Sequence, residues 1–109
     1  MTSKEIAQMV AEIGLPYAYY QFPDNTEQPT PFVCFYLENN DDVYADDGNY
    51  TNIAELTIEL YTDNKDYNLE SAVESVLRKH ELSWVKSEAY ITAEKMFEEI
   101  YIMEVIENG

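Results

Sequence analysis

Apolar positions near the N-terminus recur at helical spacing: Ile6, Met9, Val10 and Ile13 fall on one face. This spacing predicts an amphipathic helix over 3–13, opened by a capping box of Thr2 and Glu5 and stopped by Gly14 in a left-handed turn. After Pro16 the aromatic run YAYYQF reads as a short strand. The polar stretch from Pro23 to Pro31 holds three prolines and is expected to run extended and unpaired. FVCFYLEN (32–39) is apolar on both alternating faces, the mark of a strand covered on both sides. In IAELTIELY (53–61) the alternation is clean: Leu56, Ile58 and Leu60 face the core, while Glu55, Thr57, Glu59 and Tyr61 look outward. A second helix is predicted over 66–80, with Leu69, Val73, Val76, Leu77 and His80 on one face. Its acids come early (Asp66, Glu70) and its bases late (Arg78, Lys79), as the helix dipole favours. Strands at 83–91 and 97–106 follow. The order α-β-β-β-α-β-β predicts an α+β fold, a mostly antiparallel sheet of about five strands with two helices packed on it. The sequence shows no internal repeat, low-complexity tract or dividing linker, so residues 1–109 are expected to form one domain.

Charge changes this picture. The chain carries 22 acids against six bases, a formal net charge of -16, while 46% of its residues are hydrophobic. That apolar share predicts a folded domain in spite of the charge. A chain this acidic repels phosphate backbones, and six scattered bases make no track for nucleic acid, so direct DNA or RNA binding is not expected. The single cysteine, Cys34, excludes an intramolecular disulfide and fits a reducing compartment. No apolar run reaches the ~20 residues of a membrane span, and Lys4, Glu5, Gln8 and Glu12 interrupt the N-terminal stretch that a signal peptide would keep apolar. The expectation is a protein made in a cytoplasm and staying there until it assembles into something.

The most distinctive stretch is 38–52, ENNDDVYADDGNYTN, with five carboxylates, two tyrosines and no base. Calcium is one reading of its acids. With Gly48 as the sixth loop residue, however, Val43, Ala45 and Ala54 would take ligand positions they cannot fill, so turns built on Asp46-Asp47-Gly48-Asn49 are the better reading. Cys34 and His80 are the one conceivable thiol–imidazole pair. Core packing for the cysteine and the carbonyl end of its helix for the histidine outweigh a nucleophilic dyad. With glycine only at positions 14, 48 and 109 there is no phosphate-cradling loop, and HExxH, GxSxG and CxxC are absent. Nothing in the sequence predicts an enzyme, a cofactor, a metal or a small-molecule substrate. Tyr17, Tyr19, Tyr20 and Phe22 are expected to serve mostly in cross-strand packing. Asp41, Asp42, Tyr44, Asp46, Asp47 and Tyr50 form the candidate partner interface, since tyrosine brings large contact area and a polar tip at low entropic cost.

Three segments, PYAYYQFPDNTEQPTPFVCFYLENNDDVYADDGNYTN (16–52), ELTIELYTDNKDYNLESAVESVL (55–77) and SEAYITAEKMFEEIYIMEVI (87–106), together resemble the small head–tail and tail-module proteins of long-tailed bacteriophages and prophages of Gram-positive bacteria. Within that module the chain is most similar to the tail-completion, or tail-terminator, proteins. The resemblance carries no catalytic motif. It implies a structural virion protein whose copies form a ring, often a hexamer, that caps the tail tube and meets the head-side connector, with 38–52 at a ring or partner contact. Other neck or minor capsid proteins of the same module are the alternative it leaves open. Outside the family reading, an acidic inhibitor that mimics DNA would use the same negative surface.

Overall fold

The computed structural model of the chain describes residues 1–23, 28–39 and 52–107. Seven elements run in the order α1 (Ser3–Ala11), β1 (Tyr17–Tyr19), β2 (Phe32–Asn39), β3 (Asn52–Thr62), α2 (Tyr67–Lys79), β4 (Val85–Ile91) and β5 (Met96–Glu107). They build an α+β fold with one five-stranded sheet of order β1-β2-β3-β5-β4. Only β1 runs parallel, beside β2; the other neighbours are antiparallel.

Each element follows from local sequence, and each departs from expectation mainly at its ends. Helix α1 opens on the expected capping box, in which Thr2 accepts from the Glu5 amide and the Glu5 side chain accepts from the Thr2 amide. It stops at Ala11, two residues short of the expected end, with Glu12 as its last cap; Gly14 then takes φ +87, a conformation in which a side chain would be strained. Asp66 is the N-cap of α2 and accepts from the Leu69 amide at 3.0 Å, so the helix begins one residue later than the periodicity predicts. Strand β1 is half as long as YAYYQF implies, because Tyr20 enters the left-handed region at φ 70 and breaks the extended run. The turn at Tyr20 also moves the chain across the sheet edge: Tyr17 and Tyr19 pack on Phe35 on one face, whereas Tyr20 stacks on Tyr36 and Phe22 meets Phe32 on the other.

Register explains the core. Leu56, Ile58 and Leu60 of β3 stand opposite Leu37, Phe35 and Val33 of β2 and opposite Met103, Tyr101 and Glu99 of β5. Their shared face meets Ile6, Met9 and Val10 from α1 and Val73 and Leu77 from α2 in one buried cluster. Trp84, the sole tryptophan, packs on the rim of this cluster between the Tyr101 ring, 6.3 Å away, and the Arg78 guanidinium, 5.6 Å away. Both helices therefore lie on one side of the sheet. Strand β2 is buried through Val33, Cys34 and Phe35 as its two-sided apolarity predicts, but Cys34 faces away from the helices, among Phe32, Tyr36 and Glu59 rather than under a second helical layer. Replacing Leu56, central in the buried cluster, by alanine is expected to cost about 2–5 kcal/mol in a denaturant titration. The matching change at Ile106, which is 59% exposed, should cost under ~1 kcal/mol.

Candidate functional surface and buried ion cluster

The six residues singled out by sequence, Asp41, Asp42, Tyr44, Asp46, Asp47 and Tyr50, lie outside the described residues. The Cys34–His80 pair does not form: Cys34 lies on the sheet face away from the helices, and His80 caps α2 on the helical side. His80 Nε2 sits 3.0 Å from Glu12 Oε2, so the histidine meets a carboxylate of the α1 cap rather than only the carbonyl end of its own helix. Lys79 joins at 2.8 Å, tying the C-terminus of α2 to that of α1. These two partners hold the Glu12 carboxyl below its ordinary range. The Cys34 thiol is pushed up to about 11 by burial and by the nearby Glu59 and Glu98 charges, which leaves it a packing residue.

Two groupings that sequence reading did not assemble carry most of the electrostatics. On the helical side, where the sheet runs out past the apolar core, Lys65 and Lys86 are surrounded by Glu70, Glu74, Glu88 and Glu99. Lys86 Nζ donates to Glu70 at 2.6 Å and to Glu74 at 2.8 Å, and Tyr101 Oη donates to Glu74 at 2.9 Å. Lys65 Nζ donates to Glu88, to Glu99 at 3.2 Å and to Glu70 at 3.3 Å. The second Glu70 oxygen is 3.1 Å from the same ammonium but off the hydrogen-bonding direction, and the second Glu99 oxygen has no protein partner. Glu70 and Glu99 are almost wholly buried. Carboxylate oxygens of Glu70, Glu88 and Glu99 lie within 4.8 Å of one another, a spacing a metal ion could bridge, but Lys65 already contacts all three and a divalent ion would have to displace it. Two ammonium groups do not neutralise four carboxylates. Burial pushes Glu99 up to about 7, and the neighbouring Glu88 carboxylate acts in the same direction.

The second grouping lies on the face that no helix among the described residues covers. Here β2, β3 and β5 present Glu38, Glu55 and Glu104 side by side, since Glu38 stands opposite Glu55 and Glu55 opposite Glu104. Four residues further along β3, Glu59 approaches Glu98 around Tyr61, whose hydroxyl lies 2.7 Å from Glu98 Oε2 and 3.2 Å from Glu59 Oε1. One phenolic proton can serve only the shorter contact, and a protonated Glu59 satisfies the other. Burial pushes Glu59 up to about 7, with the Glu98 hydrogen bond and charge acting in the same direction; burial and the two carboxylates likewise hold Tyr61 as the phenol. Between the acids stand Ile53, Ile100, Ile102, Ile106 and Val85, with Val85 71% exposed. The alternation of IAELTIELY predicts that Glu55 and Glu59 face outward. That they meet Glu38, Glu98 and Glu104 depends on strand register, which the sequence does not display.

The two raised carboxyls give a pH dependence of definite sign. Glu59 and Glu99 hold protons more tightly in the folded chain, near 7, than at their ordinary 4.5. Stability from them is full below the lower value and is lost as pH rises through the upper one. Glu12 and Glu88 act oppositely, their lowered values giving stability that is lost in acid. The thermal midpoint should therefore be highest near about pH 4.5 and fall as pH rises toward about 7. Lys65→Met, which strips the shared cation from three carboxylates, should destabilise by about 3 kcal/mol at neutral pH and by less at about pH 5, where Glu99 is protonated.

No protein-family model matches the sequence, and no curated protein matches it. Among solved structures, the fold is similar to a chain of one described as "Virion of native gene transfer agent (GTA) particle", with a TM-score of 0.60 at 12% identity, over 90% of this chain and 82% of that one.

Proposed function

We propose that the protein is a non-enzymatic structural component of a virion: a tail-terminator or tail-completion subunit, or a head–tail joining subunit, that assembles as a ring at the junction of tail and head. The observation that carries this reading is the likeness of nearly the whole chain to a chain of a virion particle. The segments at 16–52, 55–77 and 87–106 that resemble phage tail-module proteins point the same way. A neighbouring neck or minor capsid role is the close alternative, since it asks the same of the fold.

The architecture suits assembly. The outer edges of β1 and β4 have no strand partner among the described residues, and all of β4 from Val85 to Tyr90 is exposed. A subunit with one open edge at each end of its sheet can contact its copies head to tail, the arrangement that closes into a ring when the rotation allows. The partners would be further copies of the chain, the tail-tube protein and the head-side connector, with the stretch 38–52, through Tyr44 and Tyr50, facing one of them. Repulsion between copies of charge -16 must be overcome by apolar contact, so assembly should strengthen with salt as the screening length falls to about 8 Å at 0.15 M.

Light scattering across concentration and salt should show a discrete ring-sized species favoured by salt, alone or after addition of tail-tube protein. A strict monomer under both conditions would set the ring aside. Tyr44→Ala with Tyr50→Ala should leave the thermal midpoint unchanged and abolish assembly or phage infectivity; intact assembly would remove the stretch 38–52 from the interface.

A further inference from the structure

The face of the sheet away from the helices has an unusual balance. Five glutamates stand on it, Glu38, Glu55, Glu59, Glu98 and Glu104, three of them directly opposite one another on adjacent strands. Like charges in direct cross-strand register destabilise a sheet. None of the six bases of the chain offsets them: Lys65 and Lys86 are held in the helical-side cluster, Arg78 by Glu74 and Lys79 by Glu12, while Lys4 and Lys95 make no ion pair among the described residues. The segments 24–27, 40–51 and 108–109 contain no Lys, Arg or His, so they supply no further basic side chain.

The same face is shaped and apolar as well as acidic. One depression of about 580 Å³ is lined by Glu38, Glu55 and Glu104 together with Ile53, Ile102 and Val85. A second, of about 730 Å³, is lined by Glu59 and Tyr61 with Phe22, Phe32, Tyr36 and Cys34. Each depression thus pairs carboxylates with apolar or aromatic walls, a lining that suits the stem and head of an arginine or lysine. At about 3.3 Å per residue along β3, the two acidic groups are about 13 Å apart.

We propose that this uncovered sheet face is a docking surface for a basic segment of a different protein, one that places two cationic side chains about 13 Å apart on the Glu38–Glu55–Glu104 row and on the Glu59–Glu98 pair, with apolar residues between them against Ile100 and Ile102. A second copy of this chain does not fit, because its bases are few and mostly committed to its own acids. The inference does not depend on ring formation. Glu59 and Glu98 both crowd around the Tyr61 hydroxyl in the free protein, and an incoming guanidinium would give this repulsive pair a bidentate donor.

The probe is a synthetic twelve-residue peptide of alternating valine and arginine, titrated into the isotope-labelled full chain while amide shifts are followed; the same peptide with glutamate for arginine is the control. Shifts should concentrate on β2, β3 and β5, and Glu55→Gln with Glu98→Gln should weaken binding about tenfold or more. Asp63→Asn with Glu81→Gln, an equal change of charge away from this face, should alter it by less than about twofold. The Glu55→Gln and Glu98→Gln pair should also melt higher than the parent, since it relieves repulsion; a lower midpoint would make these carboxylates structural and overturn the proposal. Absence of binding, equal weakening by both double variants, or a concentration-dependent dimer that shifts the same residues without peptide would each overturn it too. Ring formation by the Gln variants, measured in parallel, separates failure of this surface from failure of the assembly reading.

Discussion

Because β3 pairs along its length with β2 on one side and β5 on the other, the alternation of one strand decides the facing of three. Burial of Leu56, Ile58 and Leu60 beneath α1 and α2 is the contact on which the rest depends. Each of these side chains removes enough apolar surface from water to favour its register by about 1.5–3 kcal/mol, and a slip of one residue would turn all of them to solvent together. Once that face is fixed, Glu55, Thr57, Glu59 and Tyr61 have only the other face to occupy. The partners of β3 bring Glu38, Glu98 and Glu104 there by the same geometry. The hydrophobic effect thus assembles the acidic surface as a by-product of assembling the core.

The two ends of the electrostatic problem are solved differently. On the helical side Glu70 and Glu99 are buried, so cations are brought to them: Lys65 and Lys86 bridge α2, β4 and β5 with contacts of about hydrogen-bond length, and burial raises the Glu99 carboxyl so that it holds its proton more tightly. On the other side Glu38, Glu55 and Glu104 keep access to water, and no base among the described residues pairs with them. A structural virion subunit, as proposed above, would have partners on several sides. An acidic, apolar face left without internal compensation fits such a molecule better than it fits a free-standing enzyme. The helical-side cluster has the opposite character, since its charges are satisfied within the subunit and its effect is to fasten α2 to the edge strands.

Much of the fold was legible in the sequence because it rests on local periodicity. The 3.6-residue spacing of Ile6, Met9 and Val10, the alternation around Leu56 and the capping box at Thr2 and Glu5 are local signals, and each is realised in the structure. Two features escaped for a physical reason: they depend on register and on distance along the chain. Strand β2 is apolar on both faces, so its pattern could not say that helices cover only one of them. The parallel placement of β1 likewise leaves no local trace. The ion cluster joins Lys65 to Glu88 and Glu99, which lie 23 and 34 residues away. The glutamate row requires knowing that Glu38, Glu55 and Glu104 fall level across three strands. Sequence did identify the acidic and aromatic character of the first half of the chain, and on that ground placed the interface in 38–52, outside the described residues. The acidic surface that the structure describes begins at Glu38, the first residue of that stretch, and continues across the sheet.

The arrangement of Trp84 and Cys34 has a practical side. Each is the sole residue of its kind, and the sheet stands between them. Trp84 lies against Tyr101 and Arg78 beside α2, so its emission reports whether the second helix is seated and is insensitive to events across the sheet. Cys34 sits among the aromatics of the other face, nearly buried and with a thiol pushed up to about 11, so alkylating reagents reach and activate it slowly until those rings part. The molecule carries one native spectroscopic reporter and one native chemical reporter, a layer apart, through which the seating of its helices and the opening of its bare face can be timed independently in a single sample.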